Sequence, residues 1–117
     1  MKLFTDEQHR QLLHNGQLEN RDRDHVPVVK LFTPDAGATW LLTEIDPDEP
    51  DVAFGLCDLG LGFPELGNVY LPEIIALRGK LGLPIERDLH FTAQYPMSVY
   101  AQADNSRSCI TLNPSDL

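Results

Sequence analysis

Cationic side chains are scarce in this chain: nine Lys and Arg stand against 18 Asp and Glu among 117 residues, a formal net charge of −9. A surface of that sign is repelled by phosphate backbones and anionic lipid, so direct binding to nucleic acid or a membrane surface is disfavoured. Cysteine is nearly absent as well. Cys57 and Cys109 are the two, with no His at a spacing that would complete a zinc site. No apolar run approaches the ~18 residues that a membrane span needs, and Met1-Lys2-Leu3-Phe4 gives way at once to the polar Thr5-Asp6-Glu7-Gln8, which excludes a secretory h-region there. These absences point to a reducing, cytoplasmic setting, with Cys57 a small buried thiol in the apolar run Phe54 to Leu59. Sequence signatures of common catalysts are missing too. No serine occupies a Gly-x-Ser-x-Gly elbow, and Gly79-Lys80 is followed by Leu81 rather than the Ser or Thr of a phosphate loop.

What is present is an ordinary globular composition, 42% hydrophobic and 23% charged, which supports an ordered domain. The chain is organised around Ala38 to Leu66. Two β-like runs, Thr39 to Ile45 and Val52 to Leu56, flank the acidic turn Asp46-Pro47-Asp48-Glu49-Pro50-Asp51. Strict alternation places Leu41, Thr43 and Ile45 on one face and Trp40, Leu42 and Glu44 on the other. Apolar residues on both faces mark a central strand. Val26 to Thr33 pairs with it across the turn Pro34-Asp35-Ala36-Gly37, and Gly55 marks a bulge or a close backbone approach.

Before this hairpin, Thr5 and Gln8 form a capping box that opens a helix over about residues 6–15, closed by Asn15-Gly16 in a left-handed turn. Gln17 to His25 reads as an exposed connector. After the hairpin, Asn68 to Tyr70 forms a short strand, and Pro72 opens a second helix that stops at Gly79. In the segment from Ile85 to Phe91 alternation puts Ile85, Leu89 and Phe91 on one side and Glu86, Asp88 and His90 on the other. Ser98 to Ala101 and Cys109 to Leu112 suggest a terminal hairpin. The fold class is α+β: an antiparallel sheet of four to five strands with two helices packed on it.

Several of these segments, taken together, resemble a known family. Phe32-Thr33-Pro34, Trp40 with Thr43-Glu44-Ile45-Asp46-Pro47, Phe54-Gly55-Leu56, Pro64-Glu65-Leu66-Gly67 and Gly82-Leu83-Pro84-Ile85 running on to Phe91 are similar to DUF2958, a small bacterial domain family of unknown function. The resemblance covers residues 1–91 and leaves 92–117 as an extension, a hairpin against the same domain. It implies a small α+β domain carried on mobile elements, supplies no catalytic residues, and points toward proteins that interfere with restriction or CRISPR systems.

Three readings of function follow. In the first, the chain is a non-enzymatic interaction protein that docks on the basic groove of a nucleic-acid-binding partner, without cofactor. Glu44, Asp46, Asp48, Glu49, Asp51 and Asp58 supply the charge and Phe63, in a Gly-Pro loop, an apolar anchor. In the second, Glu86, Asp88 and His90 share a strand face and hold a metal for hydrolysis. The third is an accessory subunit of mobile-element machinery. Against the first two stands the plainer view that an acidic turn is simply solvated and that period-two alternation yields a polar strand face anyway.

Overall fold

The hairpin from Thr39 to Asp58 is the centre of the molecule, and a computed structural model describes it within residues 3–60, 62 and 64–107. In chain order the elements are α1 (Asp6–Asn15), β1 (Val29–Phe32), β2 (Thr39–Asp46), β3 (Glu49–Asp58), β4 (Glu65–Tyr70), α2 (Leu71–Ala76), β5 (Glu86–Arg87) and α3 (Met97–Arg107). The five strands pair antiparallel in the order β4-β3-β2-β1-β5. The α+β expectation therefore holds, with three helices among the described residues in place of two.

The turn between β2 and β3 is tighter than its six acidic and proline residues suggest. The Asp48 N–H donates to Asp46 Oδ1 at 2.9 Å, so Pro47-Asp48 alone reverses the chain and Glu49, Pro50 and Asp51 already belong to β3. The ladder slips between Ile45 and Asp46, opposite Pro50, which has no N–H to contribute.

A second slip changes the faces of β2. Leu42 pairs with Gly55 and Glu44 with Phe54, leaving Thr43 as an extra residue. The bulge overturns strict alternation: Ile45 joins Trp40 and Leu42 in the first core cluster, while Leu41 alone faces the second. Asn15 supplies the cause, because its buried side-chain amide donates to the Thr43 carbonyl at 2.9 Å and accepts from Gln11 at 2.7 Å. The Thr43 hydroxyl in turn donates to the Phe54 carbonyl at 3.3 Å.

Helix α1 begins as expected, with both halves of the Thr5–Gln8 capping box formed. Its end differs. Gly16 has φ −83°, in the right-handed region, so no left-handed turn requires it. Glycine stands there because a Cβ would lie 1.8 Å from the Ile45 carbonyl oxygen. At Gly55 a Cβ would lie 2.0 Å from the Leu41 oxygen, so the close approach expected there is present.

The first cluster joins Leu12 of α1 and Leu71 and Ile74 of α2 to Val29, Leu31, Trp40, Leu42, Ile45, Ala53, Val69 and Ile85. Pro72 lies in the first turn of α2, but the helix ends at Ala76, short of Gly79. On the opposite sheet face Leu41 and Leu56 pack beneath Met97, Tyr100 and Ala101. Those last three residues lie in α3, so the strand expected over Ser98 to Ala101 is helical, and Cys109 to Leu112 fall outside the described residues. The connector before β1 anchors that helix: the Met97 N–H donates to the His25 carbonyl at 2.8 Å, and the Ser98 N–H donates to Asp24 Oδ1 at 3.0 Å with the Ser98 hydroxyl on the other oxygen.

Candidate functional site

The tight turn gathers most of the expected acidic residues at one end of the sheet. Glu44, Asp46 and Glu49 line a cleft of about 300 Å³ together with Arg21, Phe54 and Asn68. Asp48 stands exposed at the tip, and Glu49 and Asp51 are exposed on the adjoining strand. Glu44 is half-buried, and burial raises its carboxyl above the usual range. The charges of His25 and Arg21 and the Thr43 hydroxyl pull the other way, while Asp22 adds to the rise. The tip thus sets the exposed carboxylates of Asp48, Glu49 and Asp51 near one, Glu44, whose charged form burial disfavours.

Asp58 is not part of this group. It lies at the far end of β3, opposite Thr39, is 7% exposed, and accepts from the Gly60 N–H at 2.8 Å. That bond fixes a turn in which Gly60 has φ +80°. Phe63 lies outside the described residues.

The triplet of Glu86, Asp88 and His90 does not form one strand face. β5 ends at Arg87, after pairing with Leu31 and Phe32; the Asp88 N–H still donates to the Lys30 carbonyl at 3.0 Å, and Leu89 and His90 turn away. Asp88 is already engaged: it accepts from the His90 N–H at 2.9 Å and pairs with Lys30 Nζ at 3.3 Å. The His90 N–H, followed by the Lys30 contact, holds its carboxyl below the usual range. Leu89, expected inside with Ile85, is 66% exposed because the turn carries it outward. Among the described residues no three His, Cys, Asp or Glu side chains are placed to share a metal ion.

Cys57 is half-buried against the first cluster, and burial, reinforced by Glu65, pushes its thiol up to about 11. It is a packing residue with little thiolate at neutral pH.

Sequence reasoning missed a wider recess of about 820 Å³ where the start of α1, α2 and the entry to β5 meet. Its available signal was the apolar face of α2, with Leu71, Ile74 and Ile75 at helical spacing. No helix among the described residues is long and apolar enough to cross a membrane.

No curated protein and no solved structure is found to match the chain. A family model does match, over residues 3–111, running past Phe91 and taking in α3, which the motif resemblance had left outside. By that match the chain belongs to the family described as protein of unknown function, DUF2958.

Proposed function

We propose that this protein is a non-enzymatic acidic inhibitor or regulator that occupies the basic groove of a nucleic-acid-binding partner. The observation that carries the reading is the convergence of Glu44, Asp46, Asp48 and Glu49 on one end of the β2–β3 hairpin, with Asp51 beside them. These carboxylates take the place of backbone phosphates, and a net charge of −9 steers the chain toward cationic surfaces. The Asp46–Glu49 pair and the Asp48 N–H bond to Asp46 order the turn, which lowers the entropy lost on docking. Asp58 leaves the docking set, because its side chain is buried and bonded within its own turn. Phe63 keeps its role as an apolar anchor on the sequence alone.

Such a partner fits an enzyme of restriction or CRISPR defence, in a bacterial, mobile-element setting. The metal-dependent hydrolase gains no support from Asp88, whose carboxylate is committed to Lys30 and the His90 amide.

The test is capture of partners on the tagged full chain from a bacterial host lysate at low and high salt, followed by challenge with nucleic acid. The expected result is a stoichiometric nucleic-acid-processing enzyme that salt releases and its own nucleic-acid substrate displaces. A partner retained through both challenges contradicts competitive docking and favours an accessory-subunit role.

A further inference from the structure

The recess between α1, α2 and β5 has a chemistry different from that of the hairpin tip. Leu3, Phe4, Leu71, Ile74, Ile75 and Ile85 give it an apolar lining. Ile75 is 58% exposed on α2, although neighbouring Ile74 is buried in the core. A single exposed isoleucine needs no explanation, but this one borders a concavity with other apolar side chains. Its volume of about 820 Å³ holds several side chains.

The rim is acidic. Asp6 at the start of α1, Asp51 on β3 and Glu86 on β5 contribute carboxylates from three separate elements. Among the described residues Arg78 is the one Lys or Arg in the lining, and its Nη1 donates to the carbonyls of Ile75 and Leu77 at 2.9 and 2.8 Å. That guanidinium therefore closes the C-terminal end of α2. His9 stacks on Phe4 with ring centroids 6.2 Å apart, which helps fix one wall.

We infer that this groove binds an amphipathic basic peptide segment of a partner protein. Apolar side chains seat against Phe4, Ile74, Ile75 and Ile85, while Lys or Arg residues on the same segment reach Asp51 and Glu86. Carboxylates distributed over three elements suit cations spaced along a chain better than a single small ammonium ion. The groove shares Asp51 with the acidic end of the hairpin but does not include Glu44, Asp46, Asp48 or Glu49, and its lining is largely apolar.

The probe is an amphipathic helical peptide of Leu and Lys, titrated into the isotopically labelled full chain and followed through its amide resonances. Two control peptides replace Lys with Glu or Leu with Ser. The Leu/Lys peptide is expected to perturb amides around Phe4, Ile75 and Ile85, with Ile75→Ser and Glu86→Lys each weakening it by about tenfold. Both residues are exposed, so the variants keep the fold, as unchanged resonances in β2 and β3 will show. Asp48→Lys with Glu49→Lys is expected to leave groove binding in place, which separates this site from the tip. Equal binding of either control peptide, perturbations confined to Asp46 through Glu49, or no effect of Glu86→Lys overturns the inference. Concentration-dependent dimerisation through the same residues also overturns it, because the groove then belongs to a second copy.

Discussion

The two faces of the sheet are closed in different ways. On one, eleven described residues form a buried cluster under α1 and α2, seven of them on strands β1 to β4, and the bulge at Thr43 is bonded to α1 through Asn15. On the other, among the described residues, Leu41 and Leu56 lie under Met97, Tyr100 and Ala101 of a helix that arrives late in the chain. That helix is held at its start by Asp24 and His25, more than seventy residues earlier. From this difference we expect the first face to carry the cooperative core and α3 to open at a lower cost than global unfolding.

Neighbouring leucines on β2 give the strongest way to break this comparison. Leu42 and Leu41 are both 0% exposed, one on each face. Truncating either to Ala is expected to cost about 2–5 kcal/mol in urea unfolding. Leu42→Ala should lower amide protection throughout the sheet. Leu41→Ala should lower it most in Met97 to Ala101, and equal loss across both faces would abolish the distinction.

Asn15→Ala comes next, at about 1–3 kcal/mol, because it leaves the Thr43 carbonyl without its donor at the bulge. The loss should appear in thermal or urea unfolding together with altered resonances at Thr43 and Glu44. Unchanged stability would mean that the bulge does not depend on α1.

A matched pair of caps sharpens the contrast at about 1 kcal/mol each. Thr5→Ala removes half of the capping box of α1, and Asp24→Ala removes the acceptor that holds the start of α3. Hydrogen exchange should register the first in α1 and the second in α3, with little crossover.

Glu44 provides the smallest effect and a defined pH dependence. Its folded pKa is raised, mainly by burial, so its protonated form favours the folded chain. That contribution is complete below the unfolded carboxylate range and is lost as pH rises through the raised folded value. Glu44→Gln is therefore expected to be neutral or slightly stabilising at pH 7, with the advantage fading on acidification. Asp88 runs the opposite way, since its lowered pKa favours the folded state above the unfolded range and that support disappears as pH falls. Denaturant midpoints measured across acid pH distinguish the two signs.

The same contrast explains what was legible in the sequence. The Thr5–Gln8 box, the apolar runs of β1 to β3 and Pro72 at the head of α2 are local signals, and each specified its element. Thr43 carries no local mark of a bulge, because the partner that stabilises it is on another element. Met97 to Arg107 includes Val99, Tyr100 and Ser98, weak helix formers whose order resembles a strand, and the contact that starts the helix comes from Asp24. At Glu86 to His90, alternation was real in the sequence, but Asp88 accepting from the His90 N–H turned the chain after only two strand residues. For the candidate site, charge placed Glu44 through Asp51 near one another along the hairpin. It could not separate Asp58, whose burial depends on the turn at Gly60.

The most direct test of acidic docking is partner capture by the wild-type chain and by the Asp48→Lys, Glu49→Lys double variant, run side by side at low salt. The account expects an unchanged fold by amide resonances and loss of the captured nucleic-acid-binding enzyme by at least about tenfold. Undiminished capture by the folded double variant contradicts it.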